Sequence, residues 1–266
     1  MRPVHITLLL TILLFAGCGS DDPQPETGNG SHRLSSVSTY REDANGFTLS
    51  DVTTYAYSSQ GRLESSLLSL YNTSTLQLFP FSRKSYTHDQ QGRVILLEAT
   101  IINTNVSESV LYRYRPDGTL SSMHWDADID ADVAVTFLPG DTLQAAYLFS
   151  NGHTFTYRAF IKDGNPLYDK TINSSNHITD ESAKTFDDHI NPYSLLGYID
   201  FLFINYSKNN PLSAATQIYE GSQEAIPESY EYTYNDAGLP LTQVVTYKSS
   251  DPARKLHMKY VFDYDQ

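Results

Sequence analysis

A short unit recurs along this chain and limits the folds open to it. Two aromatic residues stand two positions apart, and a glycine and a new apolar run follow after a few polar residues. Residues two apart share one face of a strand, and glycine readily adopts the positive φ of a tight turn. Each unit therefore predicts a β-hairpin. The four copies with the same aromatic-to-glycine offset are Tyr55-Ala56-Tyr57 with Gly61, Tyr86-Thr87-His88 with Gly92, Tyr112-Arg113-Tyr114 with Gly118, and Tyr232-Thr233-Tyr234 with Gly238.

Weaker versions of the unit lie between these copies. Turns are predicted around Pro139-Gly140-Asp141 and around Asp163-Gly164. The glycines are spaced too irregularly for a strict solenoid but suit one long hairpin per unit. The sequence thus predicts an all-β fold, an antiparallel up-and-down meander. Because a sheet of many strands tends to hide its edges, we expect it to be curled or barrel-like.

The residues available for a core agree with this prediction. The chain has 20 tyrosines and 12 phenylalanines, and aromatic side chains favour strands. Its one cysteine, Cys18, lies outside the predicted hairpins, so the core holds no disulfide and depends on burial. We expect a single domain over residues 34–266.

The first 22 residues are typical of a bacterial lipoprotein. Arg2 precedes an uncharged, largely apolar run over residues 6–15, and Phe15-Ala16-Gly17-Cys18 places small residues before the cysteine. The ten residues of this run are too few to span a bilayer. We therefore expect a signal peptide over residues 1–17 and lipidation of Cys18, although Phe15 occupies the position where bacterial lipoboxes usually carry leucine.

The residues after Cys18 predict a tether. Residues 18–33 are polar and rich in proline and glycine, with little to bury. Two or three acyl chains would hold the domain to a membrane where one would not. Gly19 does not match the inner-membrane retention signal of Gram-negative lipoproteins. Ser20-Asp21-Asp22 resembles an acidic surface-export signal, or simply keeps the tether solvated. We expect outer-membrane anchoring, on the periplasmic or the surface-exposed side.

The repeated unit also resembles known families. Tyr-x-Tyr followed by Gly-Arg-Leu is similar to the YD repeats of RHS proteins, and the whole pattern resembles more closely a group of bacterial lipoproteins with a porin-like fold. The second resemblance includes the segment 187–211 and covers most of residues 34–264. It implies a curled or closed sheet and no catalytic residue. This chain lacks the large shell and the appended toxin of RHS proteins, so encapsulation is not implied.

One apolar stretch interrupts the repeats. Residues 193–206 carry seven leucine, isoleucine and phenylalanine side chains and three tyrosines, and Asn191 before Pro192 is a plausible helix start. Fourteen residues are too few for a membrane span. We expect a short helical or apolar insertion near 192–206 that packs in the core or at a barrel end; an exposed ligand-binding patch is the alternative.

Charge and composition favour a binding or envelope-structural role. The net charge of −13 disfavours nucleic acid as a partner. Tyrosine offers rigid, amphipathic contact area, so tyrosine-rich strand faces could bind a glycan, a peptide or an envelope protein. The candidate ligand-binding residues are Tyr55, Tyr57, Tyr112, Tyr114, Tyr232 and Tyr234.

Alternating acids suggest one metal site. Asp126, Asp128, Asp130 and Asp132 resemble the first half of a calcium loop. An EF-hand loop, however, has glycine at its sixth position and glutamate at its twelfth, which here are Ala131 and Phe137. A calcium site and a solvated acidic turn are the two interpretations of these acids, and no other cofactor is expected.

The alternative function is hydrolysis of an extracellular polymer. Acids such as Asp126, Asp128 or Asp187 could form the carboxylate pair of a glycosidase. Asp187-Asp188-His189 combines acid and base types, but no nucleophile motif accompanies it. We therefore expect no catalytic residue and a non-enzymatic protein.

Overall fold

The computed structural model describes residues 32–44, 46–128, 130–203, 206–219, 225–248 and 256–265. Within these residues sixteen antiparallel strands form one closed barrel, each paired with its neighbours in sequence, and β1 pairs with β16 to close it. The predicted meander is confirmed. The strands are β1 Arg33–Asp43, β2 Gly46–Tyr57, β3 Leu63–Asn72, β4 Gln77–His88, β5 Val94–Ile101, β6 Ser107–Tyr114, β7 Leu120–Asp126, β8 Ala131–Leu138, β9 Thr142–Phe149, β10 Thr154–Lys162, β11 Asn165–Asn173, β12 Ile178–Ile190, β13 Asn209–Ile218, β14 Ala225–Tyr234, β15 Pro240–Tyr247 and β16 Leu256–Asp265.

The repeated units form the hairpins that the sequence predicts. After β2 the amide of Gly61 donates to the Ser58 carbonyl at 2.9 Å, and the amide of Ser58 donates to the Arg62 carbonyl at 2.8 Å. Gly61 has a φ of +81°, a backbone conformation that is energetically unfavourable for a residue with a Cβ. Six turns of the described chain repeat this pattern and begin at Ser58, Asp89, Arg115, Phe149, Asn173 and Asn235.

The barrel has two distinct ends because successive turns of a meander alternate between them. The turns 58–62, 89–93, 115–119 and 235–239 lie at one end, together with the start of β1. The connection between β12 and β13 starts there too, and we call this the plug end. The loops 72–77, 101–107, 126–131 and 149–154 lie at the other, which we call the mouth end.

The two faces of the wall differ in chemistry. The inner face carries the core, including Val37, Val110, Met123, Val133 and Phe262, each 5% exposed or less. Alternate residues point outward, as the period of a strand requires. Among the described residues, no helix has the length and hydropathy of a membrane span.

Candidate functional site

The segment between β12 and β13 folds back into the barrel, and we call its described residues, 191–203 and 206–208, the plug. A 3-10 helix, Pro192–Leu196, begins after Asn191, whose side chain accepts a hydrogen bond from the Tyr193 amide at 3.1 Å. The predicted helix start is thus confirmed. Asn191 also donates to Ser207 Oγ at 2.7 Å, which ties the two ends of the plug together.

Aromatic contacts hold the plug against the inner wall. Phe201 packs against Trp125 with ring centroids 5.0 Å apart, and the Tyr147 hydroxyl donates to the Phe201 carbonyl at 2.8 Å. Leu196 and Phe203 are almost fully buried. The apolar stretch therefore packs into the core, as expected.

Beneath the plug the lumen keeps a cavity of about 740 Å³, which we call the luminal cavity. A second cavity of about 710 Å³, the mouth cavity, lies at the mouth end. The volumes are those of small-molecule sites. Four residues line both cavities: Lys84, Glu108, Trp125 and Phe149.

The six predicted tyrosines lie on the inner face of the wall, and none presents its ring on the outer surface. Tyr55, Tyr112 and Tyr232 line the luminal cavity. Tyr57, Tyr114 and Tyr234 are the last residues of β2, β6 and β14, at the plug end. The structure thus brings the first tyrosine of three units to one cavity and separates the second from it.

In two units the second tyrosine ties its strand to the preceding strand. Tyr57 donates its hydroxyl to the Leu34 carbonyl and Tyr114 donates to the Val94 carbonyl, both at 2.8 Å. Tyr264, outside the predicted units, donates to the Pro240 carbonyl at the same distance. In each case a strand ending at the plug end is tied to the start of the strand before it.

Burial keeps these phenols protonated. It raises the pKa of Tyr114 to about 12, although Arg93, 4.5 Å above its ring, opposes the shift. Burial also raises the pKa values of Tyr55, Tyr57 and Tyr232. They therefore remain neutral hydrogen-bond donors at physiological pH.

Asp187 belongs to a structural network at the plug end. Its carboxylate accepts a hydrogen bond from the Tyr234 hydroxyl, and its two oxygens accept from the amide and side chain of Asn210 at 3.1 and 3.2 Å. The His189 ring stacks on Tyr234 with centroids 4.0 Å apart. These contacts fix both ends of the plug to β14.

The acids predicted for calcium or catalysis lie elsewhere. Asp126 and Asp128 are exposed at the mouth end, so neither is close to Asp187. Asp130 Oδ1 accepts from the Ala127 amide at 3.3 Å, and Asp132 Oδ1 lies 2.9 Å from His124 Nδ1. The described residues contain no group of three or more histidines, cysteines or acids arranged for a metal. Calcium binding here remains a prediction.

Sequence reasoning missed Trp125, Lys84 and Glu108. Their inward orientation follows from register, since Lys84 pairs with Ala99 and Ala99 with Glu108 across three adjacent strands. Trp125 Nε1 donates to Glu108 Oε2 at 3.1 Å. The available sequence signal for these residues was a charged side chain in phase with apolar core positions. Glu108 is in phase with Val110 and Tyr112 in this way.

No family model matches the chain, and no curated protein matches it. Solved structures do. A porin-like protein from Bacteroides vulgatus is 10% identical, with a TM-score of 0.53, over 87% of this chain and 99% of that one. Another from Bacteroides uniformis is 9% identical, with a TM-score of 0.46, over 87% and 98%. The chain therefore shares its fold with the porin-like protein from Bacteroides vulgatus.

Proposed function

We propose that this protein is a lipid-anchored, non-enzymatic envelope protein that is held at the outer membrane through Cys18 while its barrel stands in water. It acts as a binding module, with its site inside the barrel. The repeats themselves resemble YD repeats, and the porin-like likeness of the fold supports an envelope role.

The observation that carries the proposal is the chemistry of the outer wall. Polar residues face each other there in register across strand pairs around the circumference. A transmembrane barrel has the opposite arrangement, with an apolar band outside. The exposed cross-strand pairs are Ser36–Asp263 at 2.7 Å, Ser85–Glu98 at 3.5 Å, His124–Asp132 at 2.9 Å, Arg158–Gln144 at 2.8 Å, Thr185–Ser213 at 2.7 Å and Thr233–Thr242 at 2.7 Å.

Burying such charged pairs in hydrocarbon would be costly. A barrel of this kind needs a separate attachment to stay at a membrane, and the lipoprotein start supplies one. Because the tyrosines lie on the inner face of the wall, a small molecule in the lumen is a better candidate ligand than a glycan or protein bound across the outer face. Membrane contact then runs through the acyl chains alone.

Phase partitioning tests the anchor and the water-exposed wall together. The mature protein should enter the detergent phase, whereas the fragment 32–266 should remain in the aqueous phase as a folded β protein. Mass spectrometry of the N-terminal peptide should find acyl chains on Cys18. A fragment that needs detergent to stay in solution, or that makes vesicles leak, would contradict the proposal.

A further inference from the structure

One residue that lines the luminal cavity, Tyr112, carries a buried hydroxyl without a partner. Tyr112 is 3% exposed, and its phenol makes no hydrogen bond within the described residues. Nearby phenols do make one: Tyr114 donates to Val94, and Tyr147 donates to Phe201. Since nearly all buried polar groups are paired, an unpaired hydroxyl lining a cavity points to a missing acceptor.

A cation lies at the other end of the same cavity. Lys84 is half-buried and lines both cavities, and no carboxylate of the described chain forms an ion pair with it. Glu108 lies on the same inner row, two strands away, and accepts a hydrogen bond from Trp125 instead. The small side chain of Ala99 between them leaves room for a group beside the ammonium.

The spacing along the wall sets the length of the ligand. Glu108 and Tyr112 are four residues apart on β6, which corresponds to about 13 Å. Between these levels the cavity is lined by apolar and aromatic groups, among them Val110, Leu97 and Trp125. An apolar body with a polar group at each end fits this arrangement.

We propose that the lumen binds an elongated amphipathic small molecule with an anionic group at one end, an apolar body and an acceptor oxygen toward the other end. The anion pairs with Lys84, the apolar body packs beside Trp125 and Val110, and an oxygen of the ligand accepts a hydrogen bond from the Tyr112 hydroxyl. The inference rests on the proposed role as a binding module. The ligand site does not involve the anchor, so a negative result in the partitioning test would leave the ligand-binding proposal standing, and the reverse also holds.

Dansylaminohexanoic acid is a suitable probe because its carboxylate and sulfonyl oxygens lie at opposite ends of an extended chain. Trp125, the protein's single tryptophan, would transfer excitation energy to the dansyl group. With the full mature chain in detergent micelles, we expect saturable energy transfer at one site. Lys84→Met should weaken binding of the acid about tenfold and binding of its methyl ester far less.

Matched variants separate the site from the wall. Lys259→Met alters a lysine in outward phase on β16 and should leave the affinity unchanged. Tyr112→Phe should weaken acid and ester alike, by about threefold to tenfold, without lowering the melting temperature. Tyr114→Phe should lower the melting temperature and leave the affinity unchanged.

Four outcomes would overturn the proposal. They are an absence of saturable energy transfer, an ester that binds as tightly as the acid, equal losses for Lys84→Met and Lys259→Met, and an affinity insensitive to Tyr112→Phe. Comparison of the variants removes any contribution from dye dissolved in the micelles, because that background is common to all of them.

Discussion

The two ends of the barrel use the same strands in different ways. At the plug end, short turns, tyrosine hydroxyls donated to carbonyls, and the Asp187 network pin the chain around an inserted segment. At the mouth end, large apolar side chains such as Leu76, Leu78 and Phe79 are exposed beside a cavity. Hydrogen bonds that pin the chain are thus concentrated at one end and exposed apolar side chains at the other, although one repeat unit builds both.

The largest expected effect is alkaline unfolding. An unfolded tyrosine ionises near pH 10, whereas burial raises the pKa of Tyr114 and Tyr247 to about 12 and that of Tyr57 and Tyr264 as well. The unfolded state therefore loses protons first, and stability falls as pH rises above about 10. Each such tyrosine lowers the free energy of unfolding by about 1.4 kcal/mol for every pH unit between its unfolded-state and folded-state pKa values.

Tyrosinate absorbance and circular dichroism measured over the same pH range would check this. We expect tyrosinate to appear together with loss of β structure. Ionisation of the buried tyrosines with the sheet intact would contradict this prediction.

A matched pair of leucines compares the ends directly. Leu196 in the plug is 5% exposed, and Leu78 near the mouth is 46% exposed. Leu196→Ala should cost about 2–5 kcal/mol because it leaves a cavity in a packed core. Leu78→Ala should change the free energy of unfolding by less than about 0.5 kcal/mol. Urea denaturation measures both, and similar losses would remove the distinction between the ends.

The smallest effect concerns one turn type that occurs at both ends. Gly61 and Gly152 have φ values of +81° and +83°, but a Cβ on Gly61 would lie 2.8 Å from Arg33 Nη2, whereas on Gly152 it would meet nothing within 4 Å. Each change to alanine should cost about 1–2 kcal/mol. Because the Arg33 side chain can move aside, the loss of stability from Gly61→Ala should exceed that from Gly152→Ala by less than about 0.5 kcal/mol. In an Arg33→Ala background the two losses should be equal.

The hairpins were predictable because their signals are local. Tyrosine spacing and a glycine at a fixed offset located four turns, and Asn191-Pro192 located the plug helix. The same turn at residues 173–176 was missed because Asn176, with a φ of +61°, takes the glycine position. Asparagine tolerates this conformation but carries a weaker signal.

Closure and the site were not predictable in the same way. The pairing of β1 with β16 joins residues more than 200 positions apart, and no local pattern encodes it. The alternation along β6 places Glu108, Val110 and Tyr112 on one face, but the identity of the inner face depends on how the sheet curves. The tyrosine spacing therefore identified residues that share a face but not which side of the wall that face is on, and their role in ligand binding stays a prediction.

The β1–β16 seam has a consequence for biogenesis. Every other strand pairs with one made immediately before or after it, but one edge of β1 must wait for β16. Until the ring closes, the growing sheet presents two unpaired edges that can recruit strands from another copy. Closure of the ring is therefore the step at which crowding or slow pairing of the C-terminal strand would drive this protein to aggregate.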